Sequence, residues 1–281
     1  MTLDAYYQLF GVFALLFGLC VGSFLNVCIA RIPEDRSVIW PPSHCPACGH
    51  GIRPRDNIPL LGWLLLRGKC RDCASPISAL YPAIELLTGL VAWLVYRRVL
   101  HSAADIDLPH GAAFCFYLVF AAMLIAQSYI DIRHYIVPDQ FSIYAVPVGV
   151  AGCALLTWLG YEGAPTWKAS VVGALIGGGV LGGVALIYWL IRREEGMGLG
   201  DVKLLAMIGS FLGALPAMPI VLMVSSFTGA IVGVATLLGR KRGLRAVVPF
   251  GPFLALGALV YLLHGDELVS RFFPGITDLL M

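Results

Sequence analysis

Four carboxylates, Glu85, Asp131, Asp139 and Asp201, lie within or beside long apolar runs, where an ionisable group is expensive and marks function by default. Asp131 and Asp201 have the most chemistry within reach. Two carboxyl groups brought together cannot both ionise easily, so one keeps a proton. One can then take a proton from water while the other polarises a carbonyl, and the two titrate as a unit. Asp201 follows Gly198-Leu199-Gly200 and precedes Val202-Lys203; glycines there offer backbone freedom and let another chain come close. Asp131 ends an apolar run in Ile130-Asp131-Ile132-Arg133, and its plainer reading is an interfacial charge paired with Arg133. Asp139, directly after Pro138, reads first as a helix-start residue and second as a supporting group. Glu85 reads equally as a helix-packing residue or half of a charge pair.

The second constellation is made of thiols. Cys45-Pro46-Ala47-Cys48-Gly49 is followed, after 21 intervening residues, by Cys70-Arg71-Asp72-Cys73. Two such knuckles at this separation match a tetrahedral four-thiolate zinc site with a closed, structural coordination shell. His44 and His50 flank the first knuckle as competing ligands, and a disulfide pair is the alternative. Cys20, Cys28, Cys115 and Cys153 lie in apolar stretches and are expected to be buried packing residues.

The elements that must carry these groups are membrane spans. Of the 281 residues, 59% are hydrophobic and 13% charged, against about 45–50% and about 25% in soluble domains. A net charge of +2 gives no reason to expect nucleic acid. Runs long enough to cross a bilayer occupy 9–30, 80–98, 111–130, 139–159, 169–191, 202–215, 217–238 and 246–264. The expectation is an all-α polytopic membrane protein of about eight spans, with seven plus a re-entrant segment as the fallback. No cleavable signal peptide is expected, because residues 1–8 carry Asp4 and no Lys or Arg.

With eight spans, fifteen of the 19 Lys and Arg residues fall on one side, and only Arg97, Arg98, Lys168 and Arg271 on the other. The richer side is therefore cytoplasmic and both termini are outside. Asp131, Asp201 and the cysteine loop then share the cytoplasmic side, where lasting disulfides are rare. The domain reading is a first span over 1–30, a zinc loop over 31–79, two spans over 80–130 and a catalytic core over 131–281. Gly173, Gly177, Gly178, Gly179, Gly182 and Gly183 mark one span for close helix packing.

Several stretches together resemble the type IV prepilin peptidases, the bifunctional leader peptidases and N-methyltransferases of the GxGD aspartyl protease group. They are Gly22-Ser-Phe-Leu-Asn26-Val with Arg31-Ile-Pro33; the two knuckles with Asn57-Ile-Pro59 and Ser78-x-x-Tyr81-Pro82-x-x-Glu85-x-x-Thr88-Gly; Asp131-x6-Pro138-Asp139; and Gly198-Leu-Gly200-Asp201-x-Lys203. Pro249-Phe-Gly-Pro252-Phe also fits, so the resemblance runs in order over residues 20–255.

The resemblance implies an enzyme of the bacterial inner membrane acting on prepilins or pseudopilins, with membrane lipid around it. Asp131 and Asp201 would cut the leader after a glycine on the cytoplasmic side. The new N-terminus, typically phenylalanine, would be methylated with S-adenosylmethionine as donor. Gly198, Gly200, Lys203, Asp139 and Glu85 are supporting candidates, Glu85 for the methylation half, and Cys45, Cys48, Cys70 and Cys73 would hold one structural Zn2+. Glu194, Glu195 or Asp139 could meet the basic leader. Three other classes are weaker. A transporter would place its carboxylates at mid-membrane on broken helices; a zinc protease would need His-Glu-x-x-His; a zinc-ribbon scaffold leaves the aspartates unexplained.

Overall fold

The structure is a computed structural model that describes residues 2–193, 198–239 and 248–272. Glu194, Glu195 and the cluster Arg240, Lys241, Arg242 and Arg245 lie outside the described residues. Among the described residues there are nine α-helices, a few single turns of 3-10 helix and no strand. The helices are α1 (Leu3–Arg31), α2 (Leu61–Leu65), α3 (Leu80–Val99), α4 (Leu108–His134), α5 (Ala145–Trp158), α6 (Trp167–Arg192), α7 (Leu199–Leu212), α8 (Ala217–Gly239) and α9 (Gly251–Phe272).

All eight apolar runs form helices, but six of these are long and apolar enough to cross a membrane: α1, α4, α5 with its preceding turn, α6, α8 and α9. The count of eight is met only if α3 and α7 also cross. Charge at Glu85, Arg97 and Arg98 dilutes α3. The 14 residues of α7 span roughly 21 Å, short of a hydrocarbon core about 30 Å thick.

The chain divides into two compact units, residues 1–126 and 127–281. In the first, α1 and α3 run antiparallel and in close contact. A side chain at Gly18 would collide with Gly89 and Ala92, and one at Gly22 with the backbone of Glu85 and Ile84. Lipid tails are as apolar as leucine, so intimate backbone contact of this kind, rather than hydrophobicity, holds spans together. At one end Tyr7 Oη donates to the Leu100 carbonyl and Tyr96 Oη to the Tyr7 carbonyl. Towards the other, Asn26 Nδ2 donates to the Tyr81 carbonyl at 3.1 Å.

The second unit is built around α7. Leu204, Leu205, Met207, Ile208 and Phe211 are all fully buried, as expected of a helix apolar on every side. Gly173 and Gly177 of α6 meet the α7 backbone at Gly209 and Leu205, Gly149 of α5 abuts Ser210, and Gly257 of α9 abuts Val221 and Ser225 of α8. Of the α6 glycines, Gly179 and Gly183 face open space instead. The expectation for the four apolar-run cysteines is half met. Cys28 and Cys153 are buried, whereas Cys20 and Cys115 lie on exposed helix faces.

Candidate active site and metal centre

Asp131 sits in the last turn of α4 and is 5% exposed. Its carboxyl accepts a hydrogen bond from the backbone N–H of Gly251, the first residue of α9. Arg133, the expected partner, instead lies over the Tyr129 ring at 5.1 Å. Asp201 is half-buried in the first turn of α7, where the positive end of the helix dipole favours an anion. It lies within electrostatic reach of Asp131, so the two acids face one locality.

Of the two glycines before Asp201, Gly200 is there for room rather than for backbone freedom. Gly198 has an ordinary φ of −66° and nothing close to its missing side chain. A Cβ on Gly200 would lie 2.8 Å from Val137, so only glycine lets the segment after Asp131 pass against α7. That segment ends at Asp139, which opens a 3-10 turn, Asp139–Phe141, rather than the helix expected there; α5 begins only at Ala145. Asp139 instead receives the Lys203 ammonium at 2.6 Å. Two supporting candidates from distant motifs are thus one ion pair, fastening the loop after Asp131 to the helix that carries Asp201.

Two residues here escaped sequence reading. Gly251 was visible only as part of a matching motif, because a backbone donor leaves no side-chain signature. Gln127, one helical turn before Asp131, is 1% exposed and has no hydrogen-bond partner for its side-chain amide among the described residues. An amide inside an apolar run was its visible signal.

In the first unit the ligand atoms of Cys45, Cys48, Cys70 and Cys73 all lie within 4.8 Å of one another, and His44 and His50 are not among them. His44 Nδ1 faces the Pro42 carbonyl at 3.1 Å. The Cys45 and Cys73 sulfurs are 3.8 Å apart, the edge of a tetrahedron with metal–sulfur bonds of about 2.3 Å. All four thiols are free of disulfides.

Each knuckle is a tight turn whose flanks pair, His44 with Gly51 and Lys69 with Pro76. Gly49 takes a φ of 74° that favours glycine. The backbone N–H groups of Cys48 and Ala47 and the Ser75 hydroxyl pull the Cys45 thiol down to about 6. For Cys48 the His50 N–H acts the same way, but burial and three neighbouring sulfurs push it up to about 12. Thiols bind a divalent cation as thiolates, so filling this site would release protons.

Glu85, in α3, is buried, and its Oε2 accepts the Leu60 N–H at 2.8 Å. Its backbone packs against Gly22 of α1, as one of the two expected readings has it, and its carboxylate anchors the loop backbone rather than a cation among the described residues. Asp56 and Arg71 form a second strut, with Arg71 Nε donating at 2.7 Å, and that guanidinium holds the Asp56 carboxyl below its ordinary range.

Two family models match the chain. One, described as the bacterial peptidase A24 N-terminal domain, covers residues 16–99, and one described as the type IV leader peptidase family covers 118–234. Similar proteins include a prepilin leader peptidase/N-methyltransferase of Aeromonas hydrophila, 38% identical over 277 residues, with 90% of each chain covered. One of that name from Myxococcus xanthus is 40% identical over 242 residues, covering 86% of this chain and 68% of the relative. A type 4 prepilin-like proteins leader peptide-processing enzyme of Escherichia coli is 37% identical over 271 residues, covering 89% and 93%. No solved structure matches.

Proposed function

Given that the chain belongs to the type IV leader peptidase family, we propose that Asp131 and Asp201 are its catalytic dyad and cut a prepilin or pseudopilin leader after a glycine, at the cytoplasmic face. The observation that carries this is the buried Asp131 carboxyl, fixed by the Gly251 N–H within electrostatic reach of Asp201. A carboxylate fixed by a main-chain donor is oriented before substrate arrives, which is what proton transfer from a water requires. Two carboxyl groups in one locality do not both ionise easily, and the acid that keeps its proton donates it to the scissile carbonyl oxygen. As the amide breaks, the proton taken from water passes to the leaving nitrogen. Lys203 and Asp139 hold the two acid-bearing segments together, and Gly200 keeps the gap between them narrow. Basic leader residues meet the exposed edge of Asp139.

The four thiolates fit one structural Zn2+, which supplies rigidity to the loop and no chemistry of cleavage. Methylation of the new N-terminal residue is assigned to the same chain, in keeping with the relatives' shared name. Among the described residues there is no strand for a glycine-rich methyltransferase fingerprint to follow.

Asp131→Asn and Asp201→Asn test the dyad. Each is expected to lower leader cleavage by about 10³-fold or more, the scale on which general acid–base groups act, while the protein stays in the membrane. Mass spectrometry of a prepilin incubated with each variant reads the outcome, and normal processing by either removes the proposal.

A further inference from the structure

The loop between α1 and α3 contains a short helix whose exposed face is wrong for water. Within α2, Gly62 and Trp63 turn inward: Gly62 abuts the Asp56 carbonyl, and Trp63 Nε1 donates to the Ile77 carbonyl at 3.1 Å. Leu61, Leu64 and Leu65 point the other way and are 55%, 60% and 75% exposed, with Ile58 exposed just before them. Three leucines side by side on a protein surface mark a binding face or an aggregation hazard.

The depth at which this helix is held decides what covers it. Leu60, immediately before α2, is tied by its N–H to Glu85. Glu85 lies beside Gly22 of α1, where a Cβ on the glycine would come within 2.7 Å of the Glu85 Cα. Gly22 is nine residues before Arg31, the end of α1, or roughly 14 Å at 1.5 Å per residue. The 29 residues of α1 measure roughly 43 Å, about 13 Å more than the hydrocarbon core. Even if all of that excess lay at the Arg31 end, Gly22 would remain at the hydrocarbon boundary; centred, it lies well inside. Side chains on a helix lean towards its N-terminus, which for α3 is the loop end, so Glu85 reaches outward to meet Leu60 at the boundary itself.

We propose that residues 58–66 form an interfacial insert, with Leu61, Leu64 and Leu65 among lipid acyl chains and the exposed Arg67 and Lys69 that follow at the phosphate headgroups. An apolar face flanked by cations is what binds in the plane of an anionic bilayer. Glu85 is then the device that makes the insertion affordable to the backbone. It satisfies the N–H of a residue at positive φ (Leu60, 61°) where water is scarce and an unmet donor is costly. The four-thiolate loop is thereby moored to the membrane at a second point, beyond its two helical ends.

The test is a photoreactive benzoyl-phenylalanine placed at Leu64 and, in a separate chain, at Leu65. The full protein is illuminated in nanodiscs of phosphatidylethanolamine and phosphatidylglycerol. Mass spectrometry of the peptide containing the probe is expected to show a phospholipid adduct. Glu85→Ala should cut its yield about fivefold, which is what one net hydrogen bond is worth. A probe that reacts only with solvent, with another segment of the chain or with a second copy overturns the proposal.

Discussion

If Asp131 and Asp201 are the dyad proposed above, Gly251 is a part of the active site that needs no side chain. Its N–H holds the Asp131 carboxyl, and a Cβ in its place would run into Asp131 Oδ2. Gly251→Ala should therefore displace the carboxylate without touching either acid. A shift of about 1 Å at a reacting group can cost about 10²-fold, so kcat for leader cleavage is expected to fall by that order while the protein inserts normally. Single-turnover cleavage assays would check it. The acids and thiols were legible in the sequence because ionisable groups stand out against apolar runs and because paired knuckles have a fixed spacing. Gly251 was legible only as part of a matching stretch, and the Lys203–Asp139 pair only as two separate candidates, since nothing in linear spacing reports that residues 64 apart meet. The inward placement expected of Cys20 and Cys115 failed for a different reason: in a bilayer, apolar residues are as comfortable outside a helix bundle as within it.

Among the elements, α7 carries the most consequence for its length. It is short and buried along most of its length from Leu204 to Leu212, and α6 reaches it through glycines rather than through interlocking side chains. Gly173→Leu would set a branched side chain against the backbone at Gly209 and Gly213. It is expected to cost about 3 kcal/mol, the upper range for overpacking, and to reduce cleavage because Asp201 rides on α7. Gly183→Leu, on the same helix but facing open space, should leave both unchanged. Thermal unfolding in detergent, read beside cleavage, separates the two. Helix positions followed from hydropathy; whether α3 and α7 cross did not, because charge in one and brevity in the other leave length and composition undecided. The one-turn helix α2 could not be found from sequence at all. Five residues are too few to show a period.

At the scale of the molecule the two chemistries separate along the chain. Every contact described for the acids, Gly200 with Val137, Lys203 with Asp139 and Gly251 with Asp131, lies within residues 127–281, and all four thiols lie within 1–126. Cys45→Ser, or a strong chelator, should release the metal and depress methylation by at least tenfold. Cleavage should stay within about threefold of the intact chain, because none of the contacts described for the acids is shared with the thiol loop. Metal analysis together with intact-mass measurement of the processed prepilin reads both at once. The bond from Asp131 to Gly251 also sets a timetable. Asp131 is translated before the midpoint of the chain, but the donor that orients it arrives 120 residues later, at the start of the last described helix. On the proposed dyad, a ribosome-bound chain carries both aspartates before the donor that orients Asp131 exists, so leader cleavage would have to wait for the end of synthesis.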